Sequence, residues 1–222
     1  EREGLAPVVE LNWKAINSHA RQHVVVRGET LYAVAFRYDQ DYRQLAVANH
    51  LQSPYTLRVG QVLHLRQQNA PLKARHATLS RKQNATWHTY QAPPHEPKQQ
   101  YAGGWSWPAQ GKVVANYVPQ QGKKGIDIAG HQGEKIKAAA SGTVAYAGNG
   151  LAGYGNLIII KHDNQYLTAY GNNLHNLVKE GQRIQKGQAI ADMGVVDRRY
   201  WGVHFEIRKA GKPVNPLNYL QK

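Results

Sequence analysis

The middle of this chain cannot bury a core, and that fact sets its organisation before any motif is read. From Gln67 to Ser106 the text is Gln, Asn, Pro, Lys and scattered aromatics, closing on "YQAPPHEPKQQYAGG". No apolar spacing of 2 or 3.6 runs through it, so it reads as a linker between two modules. Lys73, Arg75, Arg81, Lys82 and Lys98 stand against Glu96 alone, a local balance of +4 (5 minus 1). The 222 residues then divide into an arm at 1–22, a small module at 23–66, the linker at 67–106 and a larger module at 107–222. Lys and Arg total 28 against 14 Asp and Glu, a net charge of +14, so an anionic polymer is the natural partner class. Nucleic acid, membrane lipid and cell-wall glycan all qualify. A basic linker is compatible with a nucleic-acid tail, and without Arg-rich repeats it fits a wall-hugging tether at least as well. The absence of cysteine excludes thiol catalysis, thiolate zinc sites and disulfides. No apolar run approaches the ~20 residues that span a bilayer. Met193 is the sole methionine and the chain opens on Glu1, so an export signal or a lipid-anchor cysteine is expected ahead of it.

The small module reads as strand, helix, helix, strand. Val24 to Val26 are β-branched; Thr30 is an N-cap for a helix through Tyr38 with Leu31, Val34 and Ala35 at helical spacing. A second helix over about Asp41 to Asn49 has Tyr42, Leu45, Val47 and Ala48 to bury, and "QVLHLR" closes the unit as a strand after a loop marked by Pro54 and Gly60. The segments "VVRGETLYAVAFRY", "LAVANHL" and "LRVGQVLHL" together resemble a LysM module. The resemblance implies a peptidoglycan binder with a shallow groove between two loops. Carried over by position, one side of the groove is Gly28, Glu29, Thr30 and Leu31, and the other is Asn49, Leu51, Pro54 and Tyr55. Loop amides and carbonyls beside apolar side chains suit an N-acetylated sugar.

The larger module is text of short strands and tight turns: "IDIAG", "GTVAYAG", "NLIIIKHDNQYLTAYG", "QAIADMG" and "VHFEIRKAGKPV". This predicts a mainly antiparallel β module, with Asp163 and Asn164 turning a hairpin. Period-2 alternation puts Val203, Phe205 and Ile207 on one face and His204, Glu206 and Arg208 on the other, and it points Asp127 away from Ile126 and Ile128. Asp127 and His204 are thereby free to line one groove. Over Trp107 to Leu220 the chain resembles the lysostaphin-like (LytM) zinc endopeptidases, through "KGIDIAG", "GYGNLIIIKH", "AYG", "LVKEGQRIQKGQ" and "HFEIR" in order. The family's zinc ligands are the His and Asp of HxxxD and the second His of HxH; the first His of HxH and a His after a Tyr-x pair serve the water and the oxyanion. Here the HxxxD histidine falls on Lys123, its aspartate is Asp127, the His after Tyr170 and Gly171 is Asn172, and the HxH pair falls on Gly202 and His204. The resemblance therefore implies two remnant metal positions, Asp127 and His204, and three lost ones, Lys123, Asn172 and Gly202. A catalytic zinc needs about three protein ligands and a polarised water. A lysine, whose ordinary pKa is ~10.4, cannot ligate while protonated, and neither Asn172 nor Gly202 can move the proton of a water. No cofactor and no metal are expected. His131, His162 and His175 read as loop, strand-end and surface residues.

Before the lost HxH pair, "VVDRRYW" brings bulky Tyr200 and Trp201 beside the groove, either as a protein-docking surface or packed over the sheet. "ASGTVAYAG" and "VKEGQRIQKGQAIADMG" share turn geometry with biotinyl carrier domains, but Asp192 and Gly194 flank Met193, leaving no carrier lysine. The order of LysM module, basic linker and altered LytM module resembles the NlpD/EnvC-type murein hydrolase activators. That resemblance implies a non-catalytic protein of the Gram-negative periplasm, bound to peptidoglycan and held at the outer membrane by a lipid anchor. Its partner would be an N-acetylmuramoyl-L-alanine amidase, activated for septal splitting and cell separation. The implied amidase groove is Lys124, Asp127, Tyr154, His204 and Arg208, with Lys124 and Arg208 meeting acidic residues of a helix and Tyr154 an aromatic anchor. A residual zinc endopeptidase and a plain wall-binding adaptor are the alternatives. A cover over the groove, from the linker or the arm, is left open by the pattern.

Overall fold

The computed structural model describes residues 20–65, 104–163 and 165–221 of the chain. The N-terminal module runs β1 (Gln22–Val24), α1 (Leu31–Arg37), α2 (Tyr42–Ala48) and β2 (Val62–His64), with β1 antiparallel to β2. Both helices start where their side chains can cap them. Thr30 Oγ1 accepts the Ala33 amide at 3.2 Å, and Asp41 Oδ1 accepts the Arg43 amide at 2.9 Å. Leu31, Val34 and Ala35 meet Tyr42, Leu45 and Ala46 over Val25, Leu63 and Leu65 in one core. Val47 and Ala48 do not join it, and Val47 is 76% exposed. At 100° per residue the inward face set by Tyr42 and Leu45 continues at Ala46, and the next two positions turn outward. The first strand also starts earlier than the Val24–Val26 run, leaving Val24 and Val26 exposed on either side of buried Val25.

The C-terminal module is antiparallel throughout its named strands. In chain order they are β3 (Val113–Ala115), β4 (Ile126–Ala129), β5 (Lys135–Lys137), β6 (Gly142–Gly148), β7 (Asn156–Lys161), β8 (Tyr166–Asn176), β9 (Arg183–Ile184), β10 (Ala189–Val196), β11 (Tyr200–Lys209) and β12 (Lys212–Val214). Across the sheet the order is β3-β4-β11-β10-β8-β7-β6-β9, with β11 also pairing β8 and β12, and β5 pairing β10. The β7–β8 turn is held by Asp163 Oδ1, which accepts the Gln165 and Tyr166 amides at 2.6 and 2.7 Å. Trp105 is buried in this module and exchanges backbone hydrogen bonds with Tyr219 and Gln221, so both ends are fastened together.

The sheet buries two faces. Ile126, Ile128, Ile158, Ile160, Tyr170, Val203, Phe205 and Ile207 fill the module's own core, as the alternation predicts. On the opposite face, Leu157, Ile159, Leu167 and Ala169 form a second layer with Tyr146 and Leu151. Ala33 and Phe36 of α1 complete that layer, so the N-terminal module is packed directly on the sheet. Each Leu, Ile or Phe side chain so taken out of water contributes about 1.5–3 kcal/mol.

Candidate functional site

β4 and β11 run side by side with Asp127 opposite His204, and β8 flanks β11 with Gly171 opposite His204. The outward side chains of β11 therefore stand in a row: His204, Glu206, Arg208. They are linked into one chain of polar contacts. Tyr200 Oη donates to Asp127 Oδ2 at 3.0 Å, and Asp127 Oδ1 lies 2.6 Å from His204 Nδ1. His204 Nε2 lies 3.0 Å from Glu206 Oε1, which also accepts from Tyr154 Oη at 2.8 Å. Arg208 Nε donates to Glu206 Oε2 at 2.6 Å; its Nη2 is as close but aligned only for an ion pair. Arg208 Nη1 then donates to Asp39 of the N-terminal module, and Lys124 Nζ donates to both Asp39 oxygens at 2.8 and 2.6 Å. Three carboxylates face three cations.

The charges are shared out by these contacts. Burial works against a charged His204, but its bonds to Asp127 and Glu206 and their charges override burial and raise its pKa to about 9. Burial would also raise the Glu206 pKa; the Arg208 charge and the His204 and Tyr154 bonds instead depress it to about 2. Burial and the Asp127 carboxylate push the Tyr200 hydroxyl upward, so it remains a donor. His204 stabilises the fold fully below its ordinary 6.5 and loses that effect as pH rises through about 9. Glu206 does so above its ordinary 4.5 and loses it as pH falls through about 2, so both contributions are complete only between 4.5 and 6.5. Titration of the histidine ring resonances by NMR is expected to place one imidazole near 9; a His204 that titrates below 6.5 contradicts the charged network.

Lys124, Asp127, Tyr154, His204 and Arg208 are thus brought together, but not as an open groove. Arg208 is 1% exposed and Glu206 fully buried. Lys123 is exposed and pairs backbone with Val118, so the group that takes the second Asp127 oxygen is Tyr200. Gly202 explains why Tyr200 fits: a Cβ there would come within 2.7 Å of the Ile128 carbonyl and 3.2 Å of the Tyr200 ring. Asn172 is held at φ 62 with its amide donating to the Tyr154 carbonyl at 2.7 Å. His162 is buried, with Nδ1 2.8 Å from the Ser141 carbonyl, and burial lowers its pKa to about 4. His175 is exposed, 3.7 Å from Asp192.

The cover comes from α1 and the turn after it. The Phe36 ring sits edge-on to Tyr154 at 5.3 Å, and the Arg208 guanidinium lies 4.2 Å from its centroid. Thr30 Oγ1 donates to the Ala145 carbonyl at 3.1 Å, and Arg37 Nη2 to the Gly150 carbonyl at 3.4 Å. At Gly211, φ 80, a Cβ would lie 2.2 Å from the Gln40 backbone. Asp39 and Phe36 were not singled out from the sequence. A signal was available: Leu157 to Ile160 is an unbroken apolar run, as expected of a strand covered on both faces. The arm and the linker, the two covers left open above, lie outside the described residues, apart from Ala20 to Gln22 and Gly104 to Ser106.

Of the residues expected from the sequence to face a glycan, Glu29, Thr30, Leu31, Pro54 and Tyr55 line one cleft of about 430 Å³, together with Thr143, Val144 and Ala145 of β6. Gly28 opens on a neighbouring cleft with Glu29 and Thr30. Leu31 is 1% exposed and belongs to the module's core. The Glu29 carboxylate is occupied by His23 Nε2 at 2.6 Å, the Val26 amide at 3.0 Å and Arg37 at 3.1 Å. Asn49 instead ties α2 to β2, through His64 N and O and the Leu45 carbonyl. Leu51 packs at the rim of the core.

Two family models match the chain, a LysM domain over residues 23–66 and peptidase family M23 over residues 121–216. Fold and site together define a LysM protein with an M23-type sheet domain. The chain is 38% identical to the Pseudomonas aeruginosa lipoprotein NlpD/LppB homolog, covering 100% of this chain and 83% of that one. It is 37% identical to the Escherichia coli murein hydrolase activator NlpD, covering 89% and 67%, and 40% identical to the E. coli uncharacterized lipoprotein YgeR, covering 89% and 80%. The chain belongs to the NlpD/LppB family.

Proposed function

We propose that this chain is a peptidoglycan-bound, non-catalytic activator of an N-acetylmuramoyl-L-alanine amidase. The observation that carries the reading is the occupancy of the two remnant metal positions. Both His204 nitrogens and both Asp127 oxygens are taken by protein partners, and Tyr200 fills the space beside Gly202. Among the described residues no three His, Cys, Asp or Glu are gathered as a metal site. This donor set does not fit the zinc that M23 chemistry requires, since a zinc ligand must offer a free lone pair. The site instead uses an imidazolium where a metal dication would balance Asp127. The relatives' names, murein hydrolase activator and lipoprotein, support the same reading. On it, the LysM module holds glycan through the loops around Thr30, Pro54 and Tyr55, the linker tethers, and a lipid anchor ahead of Glu1 fixes the protein to the outer membrane facing the periplasm. The groove residues Lys124, Tyr154 and Arg208 then receive the amidase at the septum.

The test is release of label from purified peptidoglycan by the full chain alone, by an amidase domain alone, and by both. Release is expected only in the mixture, at rates rising with the concentration of the chain. Label released by the chain alone, together with one zinc retained per chain, would sink the proposal.

A further inference from the structure

The turn that closes the groove is built against its own local preferences. Asp39 sits at φ 52, just past the end of α1, with its amide bonded to the Phe36 carbonyl and the Gln40 amide to the Ala35 carbonyl. That is the C′ position of a Schellman turn, where glycine is favoured because a Cβ is strained there. A carboxylate at a helix C-terminus also meets the negative end of the helix dipole. Two unfavourable choices at one residue imply a compensating partner. The bonds of the Asp39 carboxylate run to Lys124 and Arg208 of the other module. Phe36, one helical turn earlier, lays its ring on the same guanidinium and against Tyr154.

We propose that the end of α1 is an intramolecular occupant of the groove, and that the groove recognises a helix end with an apolar side chain in its last turn and a carboxylate in the left-handed turn that follows. The proposal rests on the reading of this groove as the amidase site, and it names both the partner chemistry and the competitor. A partner helix of that kind and the LysM module need the same three groups, Tyr154, Lys124 and Arg208, so they exclude one another. Removing Asp39 leaves Arg208 paired only with Glu206 and Lys124 without its carboxylate, which favours undocking and readies the site for an acidic ligand.

Asp39→Gly separates this from a folding defect, because glycine relieves the positive φ while deleting the carboxylate. The probe is a fluorescein-labelled, helix-stapled peptide of residues 30–41, added to the full-length chain. It is expected to bind Asp39→Gly at least about tenfold more tightly than the unmodified chain, with Asp39→Asn between them. A peptide with lysine in place of Asp39 should bind neither. Small-angle scattering should report a larger radius for Asp39→Gly, while its N-terminal module melts no lower. Equal peptide affinity for both chains, or an unchanged radius, overturns the proposal. Amidase activation is measured in parallel and is expected to rise in Asp39→Gly. A chain that binds the peptide as described but activates no amidase leaves this proposal standing and removes the functional reading instead.

Discussion

Glu206→Ala is expected to destabilise the C-terminal module by about 3–5 kcal/mol, the cost of leaving buried charges without their counter-ion. Glu206 has no exposed surface and is shared by His204, Tyr154 and Arg208, so its loss takes a buried counter-ion from two cations, leaving them Asp127 and Asp39 alone, and the acceptor from a phenol at once. Replacing it by a small apolar residue cannot offset this, since His204 and Arg208 remain. Glu206→Gln keeps an acceptor for the Tyr154 hydroxyl but not the charge, and should fall between the two. Denaturant unfolding followed by tryptophan fluorescence measures the difference. A loss below about 1 kcal/mol would mean that water, rather than Glu206, satisfies these groups.

The second large effect belongs to the junction. Phe36→Ala removes an aromatic side chain that is 2% exposed and sits in the layer between α1 and the sheet. Substitutions of this kind cost about 3–5 kcal/mol, here drawn from docking rather than from either module's own core. Each module keeps its caps, its pairing and its buried residues. The expected calorimetric result is that one cooperative transition becomes two, with the C-terminal module melting near its former midpoint. A single transition shifted downward would show that Phe36 holds the small module together instead.

How far the sequence could have led depends on the range of the contact. The helix cap Thr30 and the outward row His204, Glu206, Arg208 follow from local chemistry and period, and all are where spacing puts them. Val47 and Ala48 are apolar but stand outside the angular face that Tyr42 and Leu45 set, and on so short a helix angle decides burial ahead of apolar character. Asp39 reaches Arg208 across 169 residues of chain, and no local rule joins them. Tyr200 was legible only as bulk beside a groove. That its ring occupies the space left by Gly202, with its hydroxyl on Asp127, depends on the close approach of β4 to β11. The expectation that Asp127 and His204 line one groove followed from alternation, which says which way a side chain points and nothing about what lies over it.

The layer shared by α1 and the sheet has a last consequence, for the order of events. If α1 lifts away, Leu157, Ile159, Leu167, Ala169, Tyr146 and Leu151 are wetted together, along with Phe36 and Ala33 on the departing helix. Contiguous apolar surface of a few hundred Å² is seldom left bare on a monomeric protein, because it adheres to whatever is near. The undocked form is then a short-lived, adhesive species and not a second resting conformation. Exchange of one cover for another has to run as a handover, group by group, in which the newcomer takes hold while the old cover is still partly in place.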